Sequence, residues 1–229
     1  MTDRDEALCF DMYGTLCETG SVTRTLRTEL EIPAGFADAV DDLWRRKQLQ
    51  YSYQRGQMDD YAPFSTVTAD ALSYALAYYD LDPDEGVRGR ILAAYDHLDA
   101  FPDAVESLAG LREAGYGCWV LSNGDPGMLE RLSETAGLSP HLDGLVSADE
   151  VRTFKPDPRV YENGADRLDR GIGECRLVSS NAWDVAGAAQ AGMATAWVNR
   201  SGEPAERVGG DADLEVESLA TVGDRLRER

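Results

Sequence analysis

Lysine is almost absent from this sequence. Lys47 and Lys155 are the only lysines among 22 basic residues, which face 42 acidic ones, and the net charge is −20. Nucleic-acid binding needs clustered cations to meet the phosphates, so this charge argues against DNA and RNA as partners. A composition rich in acids and poor in lysine resembles that of proteins that work in molar salt, where charges are screened over about 3 Å. We therefore expect a halophilic protein; the alternative is an ordinary acidic cytosolic protein.

Long hydrophobic runs are also missing from the 229 residues. No apolar stretch approaches the roughly 18 residues that a bilayer span needs. The first ten residues, MTDRDEALCF, contain acids in place of the apolar segment of a signal peptide. Hydrophobic residues make up 43% of the chain, enough to bury a core. We expect a globular cytoplasmic protein without a membrane partner, consisting of one large domain or two small ones.

Paired cysteines and clustered histidines are missing as well. The sequence has two histidines, and its four cysteines form no CxxC pair. Three of the cysteines, Cys9, Cys118 and Cys175, fall in or beside apolar runs, so we expect them to be small buried core residues. Two histidines are too few for a histidine-rich zinc site and argue against a Ser-His-Asp triad. The chemistry must therefore rest mainly on Asp, Lys, Arg, Ser and Asn.

Short apolar runs typical of strands alternate with helical patterns along most of the chain. The helices are predicted from Pro102 to Gly115, from Asp125 to Gly137, from Asp157 onward and from Trp183 to Gly192, with proline or a capping residue near the start of most and glycine after the end. The predicted strands are ALCF (7–10), CWVLS (118–122), GLVS (144–147), RLVSS (176–180) and TAWV (195–198). This alternation predicts an α/β fold with a doubly wound parallel sheet.

The interval from about 18 to 98 breaks the alternation because it contains helical patterns and no convincing strand. One helix is indicated by Val67, Ala71, Ala75 and Tyr79 at a spacing of four, with Ser65 or Thr66 as its N-cap. We predict a catalytic core at 1–17 and 99–229, and a helical cap at 18–98 inserted after the first strand. The last 25 residues are predicted to hold a polar segment at the sheet edge and a short helix.

Polar side chains follow four of the predicted strands. Ligands of open α/β sheets bind where the strands' carboxyl ends meet, so these side chains are expected to converge. A carboxylate such as Asp11, directly after a buried strand, costs desolvation energy unless it is paired or used, and Lys155 is its expected partner. The set comprises Asp11 and Thr15 after the first strand, Ser122 and Asn123 after the second, Lys155 after the third, and Ser179, Asn181 and Asp184 at the end of the fourth.

Four segments resemble the motifs of the haloacid dehalogenase superfamily, and specifically its L-2-haloacid dehalogenase branch. They are DMYGTL (11–16), LSNG (121–124), FKPDPRVYE (154–162) and VSSNAWD (178–184). A fifth segment, LWRRKQLQYS (43–52), is similar to the one that supplies the halide-binding arginine of that branch. The resemblance covers nearly the whole chain. It implies a Rossmann-like core with a helical cap, a homodimer, and hydrolysis of short L-2-haloalkanoic acids to D-2-hydroxy acids through an aspartyl ester.

Differences in two motifs distinguish this branch from the phosphatases of the superfamily. Phosphatases resemble DxDxT, whose second Asp protonates the leaving group, whereas Tyr13 stands at that position here. A halide leaves as a stable anion and needs no proton, so the loss of this acid is tolerable only for dehalogenation. Ser180 and Asn181 replace the metal-binding GD of the phosphatases, which leaves a poor Mg²⁺ site. We expect no metal and no cofactor; the alternatives are a small-molecule phosphatase and a non-catalytic ligand-binding protein.

The resemblance also implies the role of each site residue. Arg45 would receive the halide, although a basic run on a helix is most often a solvated face. Phe64 and Trp183 would form an apolar wall, or else belong to the core. The implied catalytic residues are Asp11, Thr15, Lys155, Ser179, Asn181 and Asp184, and the implied substrate-binding residues are Met12, Tyr13, Arg45, Leu49, Phe64, Ser122, Asn123, Tyr161 and Trp183.

Overall fold

The computed structural model describes residues 6–228. Their strands are β1 (Ala7–Phe10), β2 (Gly117–Ser122), β3 (Gly144–Ser147), β4 (Cys175–Ser179), β5 (Ala194–Val198) and β6 (Leu214–Val216). All neighbours pair in parallel, in the order β3-β2-β1-β4-β5-β6. The predicted doubly wound α/β fold is confirmed, and the first five strands lie within one residue of the apolar runs that predicted them.

The helices cover both faces of the sheet and form the insertion after β1. They are α1 (Gly20–Glu29), α2 (Ala34–Met58), α3 (Phe64–Tyr78), α4 (Glu85–Ala93), α5 (Ala104–Glu113), α6 (Pro126–Thr135), α7 (Pro158–Arg167), α8 (Ala182–Ala191) and α9 (Val222–Arg227). Four of them, α1 to α4, lie between β1 and β2, and this helical insertion agrees with the predicted cap. No helix within residues 6–228 is both long enough and apolar enough to span a membrane.

The start of α3 differs from the prediction. Val67, Ala71 and Ala75 are fully buried as expected, but Ser65 and Thr66 lie in the first turn and cap nothing. The helix begins directly after Pro63, whose φ of −53° already suits a helix start. The Oδ2 atom of Asp125, from the core, accepts the Ser65 N–H at 3.1 Å and so replaces the N-cap side chain that α3 lacks.

Strand β1 is buried on both faces, as its run of four apolar residues requires. Leu8 and Phe10 belong to the hydrophobic cluster on one side of the sheet, and Ala7 and Cys9 belong to the cluster on the other. All four cysteines are buried and unpaired, which confirms the prediction for Cys9, Cys118 and Cys175 and adds Cys17 to the core. Because β1 pairs with β2 on one side and β4 on the other, the direction of winding changes beside it. The chain therefore leaves β1 at the crevice where open α/β sheets bind ligands.

Candidate active site

Asp11 stands at the carboxyl end of β1 and is only 5% exposed. Its backbone N–H donates to the carbonyl of Val178 at 3.0 Å, which extends the pairing between β1 and β4. The carboxylate oxygen Oδ2 accepts hydrogen bonds from Thr15 Oγ1 at 3.1 Å and Asn181 Nδ2 at 2.8 Å. The other oxygen, Oδ1, lies 3.3 Å from Lys155 Nζ. Oδ1 is therefore the less restrained oxygen and the better placed nucleophile.

Lys155 lies between two buried carboxylates. Its side chain is 1% exposed, and its ammonium contacts Asp11 Oδ1 and, at 2.7 Å, Asp184 Oδ2. Asp184 is fully buried and also accepts a hydrogen bond from the hydroxyl of Tyr161 at 2.8 Å. The backbone N–H of Lys155 donates to Asn123 Oδ1 at 2.8 Å, which fixes the loop before α7 against the loop after β2. The predicted pairing of Lys155 with Asp11 is thus present, and Asp184 completes a buried cluster.

Burial and charge act against each other in this cluster. Burial raises the pKa of Asp11 above its ordinary value, and Asp184 adds to this effect while Lys155 and Thr15 oppose it. Burial by itself would lower the pKa of Lys155, but the attraction of Asp184 and Asp11 outweighs it and holds this pKa above its ordinary value. Lys155 is therefore a permanent cation at neutral pH, and it stabilises the ionised form of Asp11.

A cavity of about 180 Å³ opens above Asp11, beneath the cap. Its walls are largely apolar, and its polar groups come from the ends of β1, β2 and β4 and from α2. Nine predicted site residues line it: Asp11, Tyr13, Arg45, Leu49, Phe64, Ser122, Asn123, Asn181 and Trp183. The size and chemistry of this cavity suit a small molecule with an apolar body and one or two anionic groups.

Two donors in the cavity are oriented by their neighbours. Arg45 reaches in from α2, with Nε bonded to Asp41 Oδ2 at 2.9 Å and Nη2 bonded to the carbonyl of Thr19 at 2.7 Å. Asn123 accepts the Lys155 N–H through Oδ1, so its Nδ2 remains a donor. The two side chains can therefore present N–H groups to an anion, Arg45 from the helical insertion and Asn123 from the segment after β2.

The side chains of Met12 and Tyr161, which were predicted to bind substrate, do not line the cavity. Met12 is fully buried, and its sulfur lies 3.7 Å from the Cys17 sulfur in the core. Tyr161 is fully buried behind Asp184, so it contacts a carboxylate and no open space. The backbone N–H groups of Met12 and Tyr13, however, donate to no other group within residues 6–228, and they follow Asp11 directly.

Thr15 and Ser179 support the site from outside the cavity. Besides its bond to Asp11, Thr15 Oγ1 accepts the backbone N–H of Ser180 at 2.8 Å, which ties the loop after β1 to the loop after β4. Ser179 Oγ accepts the backbone N–H of Asn181 at 3.1 Å and shapes the turn that presents the Asn181 amide to Asp11. Both residues therefore hold the positions of groups that surround the nucleophile.

Sequence reasoning missed several residues that line the cavity. Gln48 follows Arg45 by three positions on α2, so helical spacing could have identified it. Tyr95 comes from the turn after α4, and nothing in the local sequence marks it; its ring packs 5.9 Å from that of Tyr13. Burial raises the pKa of Tyr95 to about 12, so its hydroxyl stays neutral. The other lining residues that were not predicted are Gly14 and Thr19.

No three acidic, histidine or cysteine side chains within residues 6–228 converge on a point that could hold a metal ion. The two buried carboxylates of the site, Asp11 and Asp184, are bridged by the ammonium of Lys155. The cation that balances these carboxylates is therefore part of the chain.

Comparisons with known proteins agree with this geometry. A family model described as a haloacid dehalogenase-like hydrolase matches residues 6–192. The chain is 41% identical to (S)-2-haloacid dehalogenase 4A of Burkholderia cepacia, covering 97% of this chain and 95% of the relative. It is also 41% identical to (S)-2-haloacid dehalogenase 1 of Pseudomonas sp. strain CBS-3, covering 89% and 88%. A solved structure of L-2-haloacid dehalogenase from Xanthobacter autotrophicus, with chloropropionic acid covalently bound, is similar with a TM-score of 0.87 and 33% identity, covering 97% and 98%.

Proposed function

The chain belongs to the haloacid dehalogenase-like hydrolase family and, within it, to the (S)-2-haloacid dehalogenases, and from this premise we propose how its residues carry out the reaction. It is a hydrolase of carbon–halogen bonds that converts L-2-haloalkanoic acids to D-2-hydroxy acids and halide. The mechanism rests on the buried Asp11–Lys155–Asp184 cluster, of which Asp11 lines a small cavity together with Arg45.

In the first step, Asp11 Oδ1 attacks the α-carbon of the haloacid. A carbon–oxygen bond forms as the carbon–halogen bond breaks, and the halide leaves with the bonding electron pair, which inverts the carbon centre and produces an aspartyl ester. Thr15 and Asn181 restrain Oδ2, so the carboxylate presents Oδ1 in one orientation. Restraint of this kind lowers the entropy cost of reaching the transition state.

The anionic parts of the substrate are held at separate places. Arg45 and Asn123 receive the departing halide through N–H groups that other residues do not occupy. Ser122 and the backbone N–H groups of Met12 and Tyr13 hold the substrate carboxylate. Leu49, Phe64 and Trp183 surround the alkyl portion, and the small cavity favours a short chain.

In the second step, water attacks the Asp11 carbonyl carbon of the ester. Asp184 orients and polarises this water, and Lys155 and Asn181 stabilise the charge that develops on the ester oxygens. The product alkoxide then departs with the former Oδ1 oxygen and takes up one proton of the water, the second proton passes to the solvent, and the water oxygen stays in Asp11. Tyr161 and Ser179 act by holding Asp184 and Asn181 in place.

The cap boundaries are also part of the proposal. The two chain segments that join core and cap run side by side, since Glu18 N–H donates to the carbonyl of Asp99 at 2.8 Å and Phe101 N–H donates to that of Leu16 at 2.9 Å. This supports a core at 1–17 and 99–229 and a cap at 18–98. The two ends of that core, residues 1–5 and Arg229, lie outside the described residues. The expected homodimer, the cytoplasmic location and the independence of metal remain predictions.

The experiment that tests the function is halide release from L- and D-2-chloropropionate with EDTA present. We expect release from the L enantiomer alone and no loss on chelation. Equal reaction of the two enantiomers, or loss of activity with EDTA, would contradict the proposal. Mg²⁺-dependent hydrolysis of p-nitrophenyl phosphate, assayed in parallel, would instead support a phosphatase.

Isotope labelling tests the ester intermediate. A single turnover in ¹⁸O-water should place the label in Asp11 and leave the first-turnover product unlabelled. Label in that product would indicate direct attack of water on the substrate.

A further inference from the structure

Asp41 is a buried acid that the reaction steps above do not use. It lies one helical turn before Arg45 on α2 and is 6% exposed. Its Oδ2 atom accepts hydrogen bonds from Arg45 Nε and from Thr23 Oγ1, both at 2.9 Å. Its Oδ1 atom is buried without a hydrogen-bond partner in the described part of the chain. A buried carboxylate with one unsatisfied oxygen is costly, so its place beneath the halide-binding arginine calls for an explanation.

The contacts of Arg45 divide its guanidinium into two parts. Nε is bonded to Asp41 and Nη2 to the carbonyl of Thr19, so the group cannot rotate freely. Nη1 makes no hydrogen bond within residues 6–228 and remains available in the cavity. A halide at Nη1 would therefore bind one part of a guanidinium whose other part is already paired with an anion.

This pairing changes the charge that a halide meets. Arg45 alone would present a full positive charge to the cavity, and water screens charges much less in a partly buried site than on the surface. The negative charge of Asp41 offsets part of this attraction. Its hydrogen bond meanwhile keeps the guanidinium in the orientation that the departing halide needs.

We propose that Asp41 is a positioning residue for Arg45 whose charge also weakens the binding of free halide. This inference rests on the proposed role of Arg45 as the halide site. Its consequence is that released halide leaves readily and that chloride in the medium occupies the site poorly. That property matters for a protein expected to work in concentrated salt.

The test compares bromide binding in wild type, Asp41→Asn and Asp42→Asn. Asparagine keeps an oxygen acceptor for Arg45 and removes the charge, and Asp42 is an exposed neighbour on the same helix that supplies a matched control. Bromide is measured as a competitive inhibitor and, independently of turnover, through the rise in Tm that it causes, with total ionic strength held constant by potassium glutamate. We expect the bromide inhibition constant to fall about tenfold in Asp41→Asn and to stay unchanged in Asp42→Asn.

The sign of the change separates this role from a merely structural one. Damage to the site would weaken halide binding, whereas removal of an opposing charge tightens it. An unchanged or raised inhibition constant in Asp41→Asn, or an equal fall in both variants, would overturn the proposal. If the Tm of Asp41→Asn in glutamate shows that this variant is poorly folded, Asp41→Ser is used in its place. Asp41→Ser is also uncharged, so its bromide inhibition constant should fall as well. Failure of the wild type to release halide would contradict the proposed function, while the bromide dependence of Tm would still decide this inference.

Discussion

At the scale of single residues, the charge state of Asp11 controls the reaction because only the ionised carboxylate is a nucleophile. Burial raises the pKa of Asp11 above its ordinary value, so its ionised form is lost at a higher pH than for an exposed aspartate. We therefore expect kcat/KM to fall on acidification with a midpoint above the ordinary aspartate pKa of about 3.9. The raised pKa of Lys155 predicts that activity does not fall between neutral pH and about pH 10 through loss of its proton.

Replacement of Lys155 tests the origin of this pH profile. Lys155→Gln removes the cation that favours ionised Asp11, so the acid limb of kcat/KM should move to higher pH. The measurement is the pH profile of both proteins between pH 4 and 10, with Tm recorded at each pH. An acid limb at the same pH in the two proteins would show that Lys155 does not set the charge of Asp11.

Removal of the nucleophile gives the largest expected loss. Asp11→Asn keeps the shape of the side chain but offers a far weaker nucleophile, so kcat should fall by about 10³-fold or more. Asp42→Asn, an exposed change of the same kind, should leave kcat unaffected. Near-normal turnover in Asp11→Asn, measured as halide release, would remove Asp11 from the mechanism.

At the scale of secondary-structure elements, Asp125 is one of the side chains that join the cap to the core. Asp125 Oδ1 accepts the Met128 N–H at 3.2 Å and caps α6, while Oδ2 accepts the Ser65 N–H at 3.1 Å at the start of α3. Loss of an N-cap costs roughly 1 kcal/mol. Asp125→Ala should therefore lower the free energy of unfolding by about 2 kcal/mol, because it removes both caps.

A single-helix cap provides the control for this change. Asp84 accepts the Val87 N–H at 2.8 Å and caps α4 alone, so Asp84→Ala should cost about 1 kcal/mol. Urea unfolding measures both values, and KM for the haloacid should rise only in Asp125→Ala, since Phe64 at the start of α3 lines the cavity. Equal losses in the two variants would mean that the contact between α3 and Asp125 contributes nothing.

At the scale of the whole molecule, the net charge of −20 dominates the response to salt. The Debye length is roughly 30 Å at 0.01 M and about 3 Å at 1 M, so most acids of the folded protein repel one another at low salt and are screened at high salt. We expect Tm to rise into the molar range. Short buried contacts such as Lys155 to Asp184, at 2.7 Å, are screened much less and should persist.

Two salts separate screening from occupation of the halide site. Tm and initial rates are measured from 0.05 to 3 M in KCl and in potassium glutamate, and Tm should rise in both. The rate should rise in glutamate, because screening eases entry of an anionic substrate, and should rise less in KCl if chloride reaches Arg45. A flat or falling Tm in both salts would contradict the halophilic expectation and leave the dehalogenase function untouched.

The order of the elements and most of the residues at the site could be predicted from the sequence. Strands such as β1 were predictable because a strand buried on both faces must be apolar throughout, and that requirement is local. Asp11, Lys155 and Asp184 were predictable because each lies in the segment that follows a strand, and the carboxyl ends of parallel strands meet at one crevice. The motif resemblance assigned the halide-binding role to Arg45. The helical pattern around Arg45 could not show whether its side chain faces the cavity or the solvent.

Which of these residues line the cavity and which only support it depends on the tertiary structure. Met12 and Tyr161 both lie inside motifs, yet their side chains pack away from the cavity. The direction in which a side chain points depends on its packing partners, and these come from other parts of the chain. Tyr95 carries no local signal, and its ring reaches that of Tyr13 only when the chain folds. Asp41 stands one helical turn from Arg45, but its contact with Thr23 requires α1 and α2 to pack together. The start of α3 differs from the predicted start for the same reason, because the group that caps this helix belongs to Asp125, sixty residues further along the chain. Contacts between distant segments are absent from any local pattern, so only the folded chain could supply them.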